Sequence, residues 1–239
     1  MRRHLAAALL WAALTAAGLW AARVDLLPLA AAREAAIIDE AFRLLLRLSV
    51  PVFAFVLAVL IYSLVRFRVR GEPREEGPPL FGRGIVPWVW LGVTSALAVY
   101  VIFNPGLRGL AELRANPTAD LVVQVEGSRW QWKISYPQYD MTVREVVLPV
   151  GRRVRFDVTA TDVLHSFWIP AFRVKIDAVP GMTTRVFVTP TVAGSYEDSY
   201  HLRLQCAELC GLGHNLMASP VRVVDAGGFE AWVARGKSR

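Results

Sequence analysis

The chain has 239 residues, of which 54% are hydrophobic, and it carries a formal net charge of +7. The hydrophobic share and the mean hydropathy of +0.37 are high for a soluble protein and indicate membrane-spanning segments beside one or two modest domains. The positive charge does not indicate nucleic-acid binding, because the basic residues do not cluster with aromatic residues on a plausible binding face.

The N-terminal region allows two interpretations. Arg2 and Arg3 precede an Ala-rich apolar run that extends to residue 22, and this is the pattern of a secretory signal peptide. Alternatively, residues 1–22 form an additional, uncleaved N-terminal span. In both cases residues 23–41, which mix charges of both signs, are predicted to be an exported segment.

Two uncharged runs predict two transmembrane helices within residues 42–106. The first run, residues 48–65, would extend roughly 27 Å as a helix, close to the thickness of a bilayer core. The second run covers residues 85–103. The loop between the runs, residues 66–84, is predicted to be cytoplasmic because basic residues of short loops stay inside, and this places the remainder of the chain outside. The arginines of this loop are Arg66, Arg68, Arg70, Arg74 and Arg83.

Short alternating runs replace the long apolar ones after a linker at residues 107–118. Runs rich in Val, Phe, Trp and Tyr predict strands at residues 121–126, 130–136, 143–147, 154–159, 184–189 and 221–224. Turn residues separate most of them, and Pro180 with Gly181 predicts a tight turn after Val179. Many short strands at this spacing predict an all-β sandwich or barrel over residues 119–226, followed by a C-terminal tail at 227–239.

A cluster of metal-binding residue types follows the predicted turn. The only two cysteines of the chain, a histidine and a methionine lie within twelve residues, at Cys206, Cys210, His214 and Met217. Thiolate, imidazole and thioether are ligands that favour copper over hard cations. We expect His165, which lies upstream, to fold back onto this loop and complete a copper site.

Other interpretations of the cluster explain fewer of its residues. Two cysteines of an exported domain could form a disulfide, and cysteine with histidine serves zinc as well as copper. Met217 could be core packing, and His165 could be a hydrogen-bonded core residue. Because these alternatives must all hold together to explain the cluster, copper is favoured. His4 and His201 are predicted to lie in the basic N-terminal region and in a surface loop, without a metal.

At these residues the chain resembles subunit II of cytochrome c oxidase. The family signature Cys-x-Glu-x-Cys-Gly-x-x-His-x-x-Met matches residues 206–217 at every position, and an upstream His-Ser-Phe/Trp matches residues 165–167. The resemblance covers roughly residues 40–225. It implies a membrane-anchored α plus all-β fold, in which an N-terminal transmembrane helical hairpin precedes a Greek-key cupredoxin β-barrel.

The resemblance further implies a binuclear copper centre, CuA. The implied copper ligands are His165, Cys206, Glu208, Cys210, His214 and Met217. In the family the two cysteine sulfurs bridge both coppers and each histidine ligates one copper, while Met217 and the backbone carbonyl of Glu208 are weak axial ligands. The Glu208 side chain is implied to face subunit I, near a magnesium ion at that interface.

A tryptophan pair before the site matches the family pattern Gly-x-x-Trp-x-Trp at residues 127–132. The resemblance implies that Trp130 is the surface residue through which the donor's electron enters. Residues two apart on a strand share a face, so Trp130 and Trp132 are expected on one face, and a plain packing role for both is the alternative.

The stretch 194–205 is longer than the family's usual stretch before its first cysteine.

As such a subunit, the chain would take electrons from cytochrome c or another small exported carrier and pass them to haem in subunit I, where oxygen reduction is coupled to proton pumping. The chain itself would do no bond chemistry. Subunit III and the lipid bilayer are further implied partners, and the location is the cell inner or plasma membrane, multi-pass, with the CuA domain on the periplasmic or outer face. Two alternatives stay open: the CuA subunit of a haem–copper nitric oxide reductase, and a non-catalytic copper-binding or disulfide-stapled membrane protein.

Overall fold

A computed structural model describes residues 2–68, 71, 82 and 84–237, with side chains from residue 5 onward. The chain divides into two compact units. Met1–Leu26 with Glu40–Ala111 is the helical unit, and Leu27–Asp39 with Glu112–Arg239 is the β unit. Most of the predicted cytoplasmic loop at residues 66–84, including Arg70, Arg74 and Arg83, lies outside the described residues.

The N-terminal helix packs along the apolar part of the next helix. The helices of this part of the chain are α1 (Arg2–Ala21), α2 (Arg33–Arg66), α3 (Ile85–Val101) and α4 (Arg108–Arg114). The indole Nε1 of Trp11 donates to the carbonyl of Pro51 at 2.8 Å, and its ring meets Phe55 edge-on at a centroid distance of 6.0 Å. A Cβ at Gly18 would lie 2.7 Å from Val50, so this glycine permits the close approach of α1 to α2.

Two helices of the described residues, Arg33–Arg66 and Ile85–Arg114, are long and apolar enough to cross a membrane. They contain the predicted runs 48–65 and 85–103, so the prediction of two long apolar helices is confirmed. Helix α2 starts at Arg33, within the segment 23–41, which was predicted only as exported. The helix extends this far because its first turns are rich in alanine, a strong helix former.

The second long helix is interrupted near its outer end. Asn104 has φ −138° and ψ 108°, which are not helical, and Pro105 has no backbone N–H to continue the hydrogen-bond pattern. The helix resumes as α4 at Arg108. The linker predicted at residues 107–118 is therefore helical over its first half, and only the residues after α4 are irregular.

The β unit is built from two five-stranded sheets. Its described strands are β1 (Leu121–Ser128), β2 (Gln131–Tyr136), β3 (Met141–Val143), β4 (Val146–Pro149), β5 (Val154–Ala160), β6 (His165–Ile169), β7 (Val174–Ala178), β8 (Thr184–Val188), β9 (Arg203–Cys206) and β10 (Ala218–Val224). The strand orders are β3-β2-β1-β5-β8 and β4-β10-β9-β6-β7. The pairs β1–β5 and β10–β4 are parallel. Phe156 of β5 and Phe167 of β6 meet at a centroid distance of 4.8 Å, so the sheets pack face to face around one core.

The strands that alternate in sequence also alternate in burial. Leu121, Val123 and Val125 of β1 are buried while the residues between them are more exposed, which is the period of a half-buried strand. The predicted tight turn is also present: Met182 N donates to the Val179 carbonyl at 3.2 Å, and Gly181 has a φ of 76°. The predicted membrane-anchored α plus all-β architecture is confirmed.

Three strands escape the sequence analysis, and one predicted strand is wrong in its extent. The run 143–147 is divided between β3 and β4, which lie in different sheets. Strands β6, β7 and β9 were not predicted. Four of the five residues of β6 are buried, so it shows no alternation, and β9 is only four residues long. Neither pattern can be distinguished from a loop or a buried helix by periodicity.

Residues Leu27–Asp39, within the predicted exported segment 23–41, belong to the β unit. Ala31, Ala32 and Ala35 are buried in the core of this unit. Two buried carboxylates of the segment pair with arginines of the strands and their turns. Asp39 accepts from Arg173 at 2.7 and 3.0 Å, and Glu34 accepts from Arg153 at 3.2 Å. Arg173 also donates to the carbonyls of Pro28, Leu29 and Pro170, so one side chain holds several points of the segment against the β unit.

Asp39→Ala is expected to destabilise the β unit by about 3 kcal/mol, because Arg173 would remain buried with its charge uncompensated. The Arg173 side chain is only 12% exposed. The measurement is denaturant unfolding of the full chain in detergent, followed by tryptophan fluorescence. Asp25→Ala is the matched control, since the Asp25–Arg43 pair is exposed and should contribute less than about 1 kcal/mol. Equal losses in the two variants would contradict the argument.

The predicted C-terminal tail is mostly a helix, α5 (Ala226–Lys237), and residues 238–239 lie outside the description. Phe229 and Val233 of α5 are buried in the core. The helix starts where Asp225 accepts a hydrogen bond from Gly228 N at 2.6 Å, which satisfies a free N–H of the first turn. Phe229 and Val233 are four residues apart, and this apolar spacing is the feature of the sequence that indicates a helix here.

Candidate metal centre

Three neighbouring strands bring the predicted ligands to one end of a sheet. The order β10-β9-β6 places the start of β6, the end of β9 and the start of β10 side by side. His165 is the first residue of β6, Cys206 is the last residue of β9, and Met217 immediately precedes β10. Backbone hydrogen bonds fix this register, since Cys206 N donates to the Met217 carbonyl at 3.0 Å and Ala207 N donates to the Ser166 carbonyl at 2.9 Å.

Sulfur and imidazole nitrogen atoms converge at this end. The Cys206 Sγ lies 3.8 Å from the Cys210 Sγ and 3.9 Å from the His165 Nδ1. The Cys210 Sγ lies 3.6 Å from the His214 Nδ1 and 3.9 Å from the Met217 Sδ. The structure therefore brings together the five side chains that the sequence analysis selected. Both cysteines are free thiols, and their sulfur separation is far above the roughly 2.05 Å of a disulfide.

The Glu208 residue contributes its backbone to the same cluster. Its carbonyl oxygen lies 3.1 Å from the Cys206 Sγ, on the inner side of the loop between the two cysteines. Leu209, the next residue, is 80% exposed, so its side chain takes no part in the cluster. His201 stands apart from the cluster: its carbonyl accepts from Ala171 N at 3.1 Å, in agreement with its predicted loop position.

The donor atoms are sealed from water to different degrees. His165 and Met217 are at most 1% exposed, Cys206 and Cys210 are at most 6% exposed, and His214 is half-buried. Burial raises the pKa of the Cys210 thiol to about 11, and the neighbouring Cys206 adds to this effect. A bound cation would have to replace the proton of the Cys210 thiol.

Asp162 orients one of the imidazoles. Its Oδ1 lies 2.9 Å from the His165 Nε2, so the other ring nitrogen faces the cysteine sulfur. Although burial opposes ionisation, hydrogen bonds from His165 and from the backbone N–H groups of Arg129 and Val163 hold the pKa of Asp162 below its usual range. Asp162 is not among the site residues predicted from the sequence. The one feature of the sequence that points to it is its position three residues before His165, a candidate histidine ligand.

Trp130 covers the outer side of the loop. Its indole Nε1 donates to the Cys210 carbonyl at 3.2 Å, and the residue is 40% exposed. A Cβ at Gly213 would lie 2.5 Å from the indole ring, and one at Gly211, which has a φ of 116°, would lie 3.3 Å from it. The two glycines of the loop are therefore required by the tryptophan that lies on them as well as by the turn.

Trp130 and Trp132 do not share a face as expected, because β2 begins only at Gln131 and Trp130 lies in the preceding turn. Trp132 is 3% exposed and its ring approaches His165 edge-on, at a centroid distance of 6.1 Å. A Cβ at Gly127 would lie 3.0 Å from Trp132 and 3.1 Å from His165, so this glycine leaves room for both rings. Trp130 is therefore the surface residue of the pair, and Trp132 is a core residue.

The donor set fits copper. Among the described residues, His165, Cys206 and Cys210 form a group that could hold a metal ion, with ligand atoms within 4.8 Å of one another. A tetrahedral Cys2His2 zinc site would leave the Met217 sulfur without a role, whereas a thioether is a favourable ligand for copper. Two cysteine sulfurs only 3.8 Å apart are also close enough to share metal ions. The roles of the individual residues as ligands stay a prediction at this point.

Comparison with known proteins gives consistent matches. The family model "Cytochrome C oxidase subunit II, periplasmic domain" matches residues 141–224. A Rickettsia bellii protein named "Probable cytochrome c oxidase subunit 2" is 30% identical over 80% of this chain and 76% of its own length. The cytochrome c oxidase subunit 2 of Thermostichus vulcanus is 28% identical over 87% of this chain and 77% of its own length. Among solved structures, the periplasmic domain of subunit II of cytochrome oxidase (CoxB) of Bradyrhizobium japonicum is 33% identical, with a TM-score of 0.47 over 51% of this chain and 96% of that chain.

Proposed function

The chain belongs to the cytochrome c oxidase subunit II family, and from this premise we propose that it is the electron-accepting subunit of a haem–copper terminal oxidase. In this role it takes electrons from an exported carrier and passes them to haem in subunit I, where oxygen is reduced and protons are pumped. The single observation that supports this most strongly is the convergence of two free thiols, two imidazoles and a thioether at one sheet end.

The proposed CuA ligands are His165, Cys206, Glu208, Cys210, His214 and Met217, with Glu208 acting through its backbone carbonyl. When bound, the copper pair supplies a site that holds one electron with little change of geometry between its oxidation states. The chain contributes the rigidity that this requires. Strands β6, β9 and β10 hold His165, Cys206 and Met217 in a fixed register, and these side chains are at most 6% exposed.

The surroundings of the site suit electron input from outside and transfer towards a partner subunit. We propose Trp130 as the point where the donor's electron enters, because its ring is half-exposed and its indole N–H reaches the Cys210 carbonyl directly. The donor is cytochrome c or another small exported carrier. The Glu208 side chain is proposed to contribute to a magnesium site at the subunit I interface.

The same proposal includes the location and the other partners. The chain is a membrane-anchored subunit with its β unit on the outer face, in agreement with the two long apolar helices and with the periplasmic family domain. We further propose that it is multi-pass in the cell inner or plasma membrane, with α2 and α3 as spans, and that subunits I and III are its neighbours in the complex.

Copper content and electron paramagnetic resonance of the purified full chain test this function. We expect a copper-to-protein ratio of two after reconstitution, with one unpaired electron shared between both metal ions. Binding of zinc in preference to copper, or a single localised Cu(II), would contradict the proposal. A full chain that oxidises to a Cys206–Cys210 disulfide in the presence of excess copper would contradict it as well.

Trp130→Ala is expected to slow reduction of the loaded centre by reduced cytochrome c at least about tenfold, which is the loss typical of removing an aromatic anchor from an interface. The measurement is stopped-flow reduction, with the copper absorption spectrum recorded for the same sample. Trp130→Phe is the matched variant, because it keeps a ring over Gly211 and Gly213 and should retain most of the rate. A lost copper spectrum in Trp130→Ala would mean that Trp130 serves the structure of the loop instead.

A further inference from the structure

A cavity of about 620 Å³ lies directly beside the metal centre, within the β unit. Its lining includes Cys206, His214 and Met217 together with Tyr196, Tyr200 and Arg203. Three of the proposed ligands therefore face one space that is much larger than a metal ion. The electron-transfer role does not require such a space, because that role is served by a tightly enclosed site.

Part of the cavity lining comes from residues 194–205, the stretch that is longer than in the family. This stretch has its own internal order. Asp198 accepts hydrogen bonds from the backbone N–H and the hydroxyl of Ser195 at 2.8 and 2.9 Å. The rings of Tyr196 and Tyr200 are tilted against each other by 54° at a centroid distance of 5.7 Å, and the Arg203 guanidinium lies 3.4 Å from the centroid of the Tyr200 ring.

The other approaches to the donor atoms are closed. On the outer side of the loop, the Trp130 indole lies against Gly211 and Gly213. On the sheet side, His165 has no exposed surface, and the two cysteines are at most 6% exposed. His214 is the only half-buried member of the five side chains that supply donor atoms, and it lines the cavity.

We propose that copper reaches the centre through this cavity, with His214 as the first donor it meets, and that the wall of Tyr196 and Tyr200 limits the rate. The inference rests on the proposed copper site and adds the route by which that site is filled. Copper arrives as Cu(I) and stays Cu(I): ligands of its carrier are exchanged for those of the chain one at a time. Each cysteine that binds gives its proton to the solvent, as metal binding by thiols requires.

The route is tested by measuring the rate of copper uptake in the copper-free full chain, purified in detergent under anaerobic conditions. The probe is Cu(I) supplied as its acetonitrile complex, and the readout is the rise of the ultraviolet absorption of the thiolate–Cu(I) bonds. Ala218→Trp, which fills the cavity from β10, is expected to slow uptake about tenfold while the final absorption is unchanged. Tyr200→Ala, which widens the cavity, is expected to accelerate uptake several-fold.

Leu212→Trp is the matched control, because it introduces the same side chain into the ligand loop at a position that is 97% exposed and does not line the cavity. It should take up copper at the rate of the unchanged chain. Slow uptake in Leu212→Trp with normal uptake in Ala218→Trp would overturn the proposed route in favour of access from the loop side. If Ala218→Trp does not fold, an unchanged rate in Tyr200→Ala is sufficient to overturn it. Failure of the unchanged chain to bind Cu(I) would instead contradict the proposed function.

Discussion

Replacing Cys210 with serine is expected to abolish the proposed binuclear copper centre. The Cys210 sulfur lies within 3.9 Å of the Cys206 sulfur, the His214 nitrogen and the Met217 sulfur, so it is the atom that connects most of the donor set. A serine hydroxyl does not ionise at neutral pH and is a harder ligand than a thiolate, so it cannot replace a sulfur shared by two copper ions. Copper content should fall from two per chain to one or none, and the resonance signal of the shared electron should disappear.

The matched control for this variant is Leu212→Ala, which changes the same loop at a side chain that makes almost no buried contact. Its copper content and resonance spectrum should equal those of the unchanged chain. A Cys210→Ser protein that still binds two copper ions with a shared electron would show that the sulfur of Cys210 is not a bridging ligand. In that case the arrangement of the six proposed ligands would have to be revised.

Replacing Asp162 with alanine is expected to lower the affinity for copper by about 10- to 100-fold, the usual effect of removing the group that orients a histidine ligand. Without the 2.9 Å contact to the His165 Nε2, the imidazole loses the partner that holds its other nitrogen toward Cys206. The affinity is measured by competition with a copper chelator. Asp162→Asn should lose less, since an amide oxygen can still accept from the same N–H, although without a full charge.

Two comparisons separate this positioning effect from a general loss of stability. Glu126→Gln removes a carboxylate from β1, where the Lys133 contact of 3.6 Å is exposed, and it should leave copper affinity unchanged. The unfolding free energy of copper-free Asp162→Ala should be recorded beside its affinity. If the three variants lose affinity equally, Asp162 acts through the overall charge of the domain and not through His165.

The candidate site was largely predictable because most of it lies on one short loop. Cys206, Cys210, His214 and Met217 are close in sequence, and their residue types indicate copper before any fold is known. His165 was expected to join the site as an upstream histidine, but no local pattern connects it to a loop some forty residues later. The strand pairing of β6 with β9 provides that connection.

The limits of the sequence analysis fall where tertiary contacts determine the outcome. Asp162 was not selected because a carboxylate in a turn is common, and only its contact with the His165 ring distinguishes it. Residues 23–41 were predicted only as an exported segment of mixed charge, without contacts to the β unit. In the structure Glu34 and Asp39 are instead neutralised by arginines more than a hundred residues away, which local composition cannot predict.

The amino-acid sequence by itself determined the apolar helices, the β character of the C-terminal part and the chemistry of the donor set, because these follow from residue types and from periods of a few residues. Only the tertiary structure decided which sheet end collects the donors, which tryptophan lies on the loop, and that one cavity opens onto Cys206, His214 and Met217. The physical reason is that burial and hydrogen bonding act between groups that are adjacent in space, and strand order, unlike strand content, is set by the packing of the whole β unit.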